Sequence, residues 1–221
     1  MERTALTPRQ RQAVEADLEP VLVLAGPGAG KTLCLIERVR FLIERHGLDP
    51  ERICTVTYTN KAAEEVAGRI RRELGDRADL VYRSTIHSLS VRILREHGSA
   101  IGLERGFAIA DEEYQLEILA KFRVPERFRK KMLGRFTQHR LLGDDLAEED
   151  VRYFERYRTY LAKRRALDFD ELLLSVGRLF DEHPEVADRV AAQFDYILVD
   201  EFQDLNRAQY GIIKRIGQGH G

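Results

Sequence analysis

Val21-Leu22-Val23-Leu24-Ala25-Gly26-Pro27-Gly28-Ala29-Gly30-Lys31-Thr32 is the stretch on which the fold is decided. Four consecutive apolar residues predict a parallel strand buried on both faces. Beyond the glycines, Leu35, Val39, Leu42 and Ile43 recur at helical spacing, so a helix is expected from Lys31 to about Arg45. A strand, a glycine-rich loop and a helix together suit a phosphate chain. Glycine leaves backbone amides uncovered and permits positive φ, and the positive end of the helix dipole faces the same anion. Lys31 can reach β- and γ-phosphates, and the Thr32 hydroxyl can ligate magnesium. Ala25, Gly26, Pro27, Gly28, Ala29, Gly30, Lys31 and Thr32 are therefore the expected nucleotide-binding residues, with ATP and Mg2+ as ligands. The strict phosphate-loop pattern has glycine where this chain has Ala25. A glycine-rich turn with a fortuitous lysine is the bland alternative.

Downstream, strands and helices alternate. Strands are expected at Ile53–Thr57, Leu80–Arg83 and Tyr196–Val199, and helices at Lys61–Leu74, His87–Arg95, Phe169–Asp181, Pro184–Gln193 and Asn206–Ile216. Such alternation predicts βαβ units around a parallel sheet. Upstream, Thr7-Pro8 supplies a hydroxyl N-cap and a proline in the first helical position. Between Asp111 and Arg165 the strand signal disappears, and three helices are expected to begin near Asp111, Pro125 and Asp150. Residues 111–165 thus read as an all-helical insertion, with 1–110 and 166–221 forming the sheet domain.

The last apolar strand ends in Asp200-Glu201-Phe202-Gln203-Asp204. Carboxylates at the carboxyl edge of a parallel sheet lie where open α/β folds bind ligands. Asp200 is expected to hold magnesium and Glu201 to orient or deprotonate an attacking water. The bland alternative is an acidic strand end that merely caps or solubilises.

Composition excludes little. The 221 residues carry 36 basic and 37 acidic groups, net charge −1, with 43% hydrophobic residues, a globular balance. Residues 121–165 are locally basic, with fourteen Lys/Arg against seven Asp/Glu. Arg127, Arg129, Lys130, Lys131, Arg135 and Arg140 could meet a nucleic-acid backbone or simply form a solvated face. Cys34 and Cys54 sit among apolar neighbours without metal-ligand spacing and are expected to be reduced core residues. No run approaches the length of a bilayer-spanning helix, and no signal peptide opens the chain, so no membrane association and a cytoplasmic location are expected.

With these segments in place, the chain resembles superfamily 1 helicases of the UvrD/Rep type along nearly its whole length. Leu6-Thr7-Pro8-Arg9-Gln10 is similar to the family's Q motif, which implies that Gln10 reads the adenine edge. Thr57-Tyr58-Thr59-Asn60-Lys61-Ala62-Ala63 and Ser84-Thr85-Ile86-His87-Ser88 resemble motifs that contact single-stranded DNA, implying roles for Tyr58, Thr59, Asn60, Thr85 and His87. Read as residues alone, Asn60 could be a helix cap, Tyr58 a core ring and His87 a structural histidine. Leu167-Asp168-Phe169-Asp170-Glu171-Leu172-Leu173 resembles the return from the helical insertion. Asp200-Glu201-Phe202-Gln203-Asp204 is similar to the DExx box, which adds Gln203 to Lys31 and Glu201 as catalytic residues. The family's phosphate loop itself has alanine at the position of Ala25.

The resemblance implies a RecA-like nucleoside triphosphatase domain, an ATP-dependent motor moving 3′ to 5′ on DNA in repair, replication or recombination, and single-stranded and duplex DNA as partners. It departs at Leu33 and Ile86, where the family often has arginine and phenylalanine, so a stacking group is lost at each place. It also implies a later Gly-Asp-x-x-Gln motif and a second motor domain outside these 221 residues. The chain by itself is therefore expected to bind ATP without efficient turnover. Two other classes compete. A small-molecule kinase fits poorly with the long helical stretch between Lys31 and Asp200, and a non-catalytic module would use ATP or DNA only as a ligand.

Overall fold

The structure is a computed structural model that describes residues 5–26 and 28–218, apart from the side chains of Asn60 and Glu73. In chain order its elements are α1 (Pro8–Val14), α2 (Lys31–Glu44), β1 (Ile53–Thr57), α3 (Asn60–Leu74), β2 (Tyr82–Thr85), α4 (Ile86–His97) and β3 (Ala108–Ala110), followed by α5 (Glu112–Lys121), α6 (Glu126–Leu142) and α7 (Glu148–Lys163). The chain closes with β4 (Ala166–Asp168), α8 (Phe169–Glu182), α9 (Pro184–Ala191), β5 (Tyr196–Val199) and α10 (Arg207–Gly217). The fold class is α/β with parallel sheets. Two compact units emerge, one from Met1–Ile86, Asp188–Leu205 and Arg215–Gly221, the other from His87–Ala187 and Asn206–Lys214.

The first unit is built on a three-stranded parallel sheet in the order β2-β1-β5. β1 occupies the centre, and all five of its residues are buried. A strand covered on both faces must be apolar throughout or satisfy its polar groups internally. Leu35, Ile36, Val39, Leu42 and Ile43 of α2 pack with Val66 and Ile70 of α3 against Ile53 and Leu198. Cys34 and Cys54 are buried and form no disulfide, and burial pushes the Cys34 thiol pKa up.

One expected strand does not form. Residues 21–24 join no sheet, and Val21, Leu22, Val23 and Leu24 are 46%, 64%, 42% and 86% exposed. The physical reason lies in the ladder. An apolar run becomes a strand only when a neighbouring edge accepts its hydrogen bonds, and in the described residues β5 ends the sheet without pairing to this segment.

The second unit has its own core, in which Ile118 and Leu119 of α5, Met132 and Phe136 of α6, and Phe154, Tyr157 and Leu161 of α7 meet Ala110 and Ala166. The three helices run where expected. Flanking them, β3 and β4 pair in parallel as a separate two-stranded sheet, which three-residue strands are too short to announce.

Arg140 corrects the expectation of a DNA-facing or solvated side chain, because it is buried. It donates to both Asp168 oxygens at 3.0 and 2.8 Å and to Asp170 at 2.8 Å. The Tyr157 hydroxyl donates to Asp168 at 2.8 Å, and Asp168 also accepts from the Glu171 amide at 2.9 Å, capping α8. Thr137 donates to Asp170 at 2.7 Å. Burial and the Asp168 charge drive the Tyr157 pKa well above the normal phenol range. Arg135 likewise turns to the buried Asp150 at 2.9 Å.

Removing one partner of a buried pair leaves an uncompensated charge. Arg140→Met is therefore expected to cost about 3 kcal/mol or more, read from urea unfolding, with part of the loss recovered by adding Asp168→Asn. A loss below about 1 kcal/mol, the range of exposed pairs, would show that the network is not structural.

Candidate nucleotide site

The centre is assembled by the start of α2 and the end of β5, segments 168 residues apart in sequence. Gly30 is the N-cap of α2 at φ +84°, and no side chain caps the helix there. The amides of the first turn, orphans in any helix, are thus not consumed by a capping side chain. Gly28 also has positive φ, +73°, and the loop turns through a bond from the Ala29 amide to the Gly26 carbonyl at 3.3 Å. The positive φ calls for glycine at position 30, and a Cβ there would also stand 2.8 Å from Gln10 Nε2, so the end of that side chain would have to shift. Ala25 and Gly26 are exposed at the loop's entry; Pro27 lies outside the described residues.

Opposite the loop, the Asp200 amide donates to the Val56 carbonyl at 2.9 Å, which extends the register of β5 against β1 by one residue. The chain then turns sharply, with Glu201 in the left-handed region at φ 50°, ψ 45°. Such a conformation is uncommon without glycine and clusters at functional sites. The turn separates the two carboxylates. Asp200 Oδ2 accepts from Thr32 Oγ1 at 3.5 Å, whereas Glu201 Oε2 lies 3.5 Å from Lys31 Nζ. Gln203 Nε2 also donates to Glu201 Oε2 at 2.5 Å.

Burial raises the Asp200 pKa, offset by the Glu201 amide that donates to it. The Glu201 pKa is lowered, first by the Gln203 bond and then by Lys31. The two neighbouring acids are therefore pushed apart, one toward the neutral form and one held ionised.

For magnesium, the donor chemistry fits: a hydroxyl and a carboxylate oxygen stand at one place, hard ligands of the kind that take the ion together with phosphate and water. Among the described residues no group of three or more His, Cys, Asp or Glu forms a self-contained metal cage. At the other end of the loop, Gln10 forms a capping box with Thr7 and donates from Nε2 to the Ala29 carbonyl at 3.0 Å.

Of the residues expected at DNA, Tyr58 and Thr59 follow β1, whose Thr57 is in register with Thr85 of β2. Tyr58 is 55% exposed and not a core ring. Thr59 is the N-cap of α3, accepting from the Ala62 amide at 3.1 Å, so the cap falls one residue before Asn60, whose side chain lies outside the described residues. Thr85 is buried at the end of β2. In the second unit, the His87 ring meets Phe169 edge to face at 5.2 Å, and burial lowers its pKa against the opposing pull of Asp170. Of the basic residues on α6, Lys130 pairs with Glu112 at 3.0 Å and the Arg127 guanidinium lies 4.8 Å over the Phe128 ring.

Residues 6–221 match the UvrD/REP helicase N-terminal domain, and the chain belongs to that family. It is 34% identical over 225 residues to the ATP-dependent DNA helicase PcrA of Staphylococcus aureus and 34% identical over 222 residues to that of Staphylococcus epidermidis. In each case 93% of this chain is covered, and it spans about 30% of the relative's length.

The raised Asp200 pKa carries a testable sign. A carboxyl whose folded pKa is raised loses stability for the protein as pH climbs through that value. Asp200→Asn is therefore expected to raise the melting midpoint of the nucleotide-free chain at pH 7.5, the gain vanishing as pH falls and Asp200 becomes protonated. A lower midpoint for the variant at pH 7.5 would contradict this.

Proposed function

We propose that this chain is the amino-terminal, ATP-binding part of an ATP-dependent DNA helicase that translocates 3′ to 5′. The observation carrying this reading is the convergence of Thr32 on Asp200 and Lys31 on Glu201, each at 3.5 Å. A triphosphate laid along the loop would take the amides of residues 28–32 and the Lys31 ammonium, with Gln10 toward the base. Thr32 and Asp200 would hold magnesium, which neutralises phosphate charge when bound. Glu201, kept ionised and aimed by Gln203, suits the orientation or deprotonation of water.

We assign residues 1–110 and 166–221 to a RecA-like motor domain and 111–165 to a helical insertion; α5–α7 share a core of their own, but Ala110 and Ala166 belong to that core and the compact unit around it is wider, His87–Ala187 with Asn206–Lys214. Single-stranded DNA would meet Tyr58, Thr59, Asn60, Thr85 and His87, and the exposed Tyr58 ring offers a stacking face. A DNA substrate goes with a cytoplasmic location, in repair, replication or recombination.

Coverage of about 30% of the PcrA relatives fits a second motor domain supplying further cations to the γ-phosphate. Such arginines are typically worth about 10³–10⁵ in rate, so the 221 residues alone would bind ATP with little turnover.

Titration with a fluorescent ATP analogue tests this reading. Binding should require Mg2+, weaken about tenfold or more in Lys31→Ala, and persist in Glu201→Gln, a loss matching a charge-assisted hydrogen bond. Mg2+-independent binding, no change in Lys31→Ala, or phosphoryl transfer to a small molecule would overturn it.

A further inference from the structure

Arg38 lies on α2 two turns beyond Lys31, and it is only 5% exposed. Nothing in its spacing separates it from the ordinary charged residues of a helix. Its guanidinium, however, faces the end of α1. Nη1 donates to the Val14 carbonyl at 2.8 Å and also to the Ala16 carbonyl. Nη2 donates to the Asp17 carbonyl at 2.7 Å and to the Tyr196 hydroxyl at 2.9 Å. The group also stacks 5.1 Å over the Tyr196 ring and 5.7 Å over Phe41. Burying a guanidinium is costly unless its donors are satisfied, and here four acceptors take up both terminal nitrogens.

Three of those acceptors are carbonyls where α1 ends, at and beyond its last turn, with the C-cap at Glu15. A helix leaves its last carbonyls without partners, and a cation there also complements the dipole. α1 has seven residues, too few to hold a helix in water unaided. Its placement is therefore imposed from outside, by burial of Val14 and by Arg38. α1 in turn carries Gln10, whose amide is oriented by one bond at each end: Oε1 accepts from the Thr7 amide at 2.9 Å and Nε2 donates to the Ala29 carbonyl at 3.0 Å, which leaves one oxygen lone pair and one N–H for a base.

We propose that Arg38 is a positioning residue for base recognition: it clamps α1 to the phosphate-loop helix and so fixes Gln10 at a set distance from the phosphate cradle. The inference rests on the reading above in which Gln10 faces the base. Lys31 and Arg38 are about 10 Å apart along one rigid helix at 1.5 Å per residue. That helix acts as a ruler, with the triphosphate gripped at one end and the carrier of the base-reading amide anchored farther along. A carboxamide can pair with adenine through its N6 donor and N7 acceptor, whereas guanine offers acceptors at both N7 and O6. Discrimination then depends on where the amide is held, and Arg38 sets that without touching nucleotide.

The experiment measures the affinities of the full 221-residue chain for ATP, GTP and inorganic tripolyphosphate, each with Mg2+, by competition against a fluorescent nucleotide. Gln10→Ala is expected to reduce the ATP-over-GTP preference about tenfold or less, the range of one hydrogen bond. Arg38→Met should reduce it by a similar factor and leave tripolyphosphate affinity within about twofold, since the phosphate cradle is untouched. The double variant should lose no more than either single one, because both changes act through one element. Arg38→Lys, which keeps a donor and a charge, should recover part of the preference and serves as the readout if Arg38→Met does not fold. Tyr196→Phe removes one acceptor but none of the α1 contacts, and should leave the preference unchanged.

An effective Gln10→Ala beside folded Arg38 variants with intact preference would overturn the positioning role alone. Additive losses in the double variant would do the same. A Gln10→Ala variant with unaltered preference would overturn the reading of Gln10, and this inference with it.

Discussion

The structure depends on bringing the start of one helix and the end of one strand, far apart in sequence, to the same edge of a parallel sheet. At that edge Thr32 meets Asp200 and Lys31 meets Glu201. Neither segment is a site alone. A helix start supplies amides and a positive dipole end, while a strand end supplies carboxylates, and only their juxtaposition gives a place where phosphate charge and a hard cation can be balanced. The three-stranded order β2-β1-β5 achieves this by placing β5 beside the buried β1, while α2 packs through Val39 and Leu42 onto the core under that sheet.

Much of this was legible because the signals are local. The apolar stripe of α2, the strand β1 and the acidic end of β5 each appear in a window of a few residues, and the structure places them as their patterns predict. What was not legible depends on distant partners. Residues 21–24 carry a strand's composition but pair with no strand, since pattern reports burial preference and not the presence of a neighbouring edge. Three-residue strands such as β3 and β4 leave no period to detect. Arg140, open in sequence to a nucleic-acid backbone or a solvated face, and Arg38, which no motif singles out, are each buried by acceptors on other elements. Asp168 was legible as part of a motif, but not as the hub joining α6, α7 and α8.

The centre is held at a cost to the nucleotide-free chain. Asp200 is partly desolvated so that its pKa rises, and Glu201 is held in a backbone region that side chains seldom occupy. Both features are unfavourable for the fold alone and intelligible if the site is shaped for a cation and a polyphosphate. The second unit shows the opposite balance. There Asp168 satisfies its charge inside the protein, with Arg140 and Tyr157 as partners, and acts as a structural node.

A double-mutant cycle on Mg2+-dependent ATP affinity probes the central claim most directly. Thr32→Val and Asp200→Asn should each lower the Mg2+-dependent part of binding, and together they should cost little more than the worse single change, because one ion depends on both. Losses that add in full would mean that the hydroxyl and the carboxylate serve no common ion, contradicting the account.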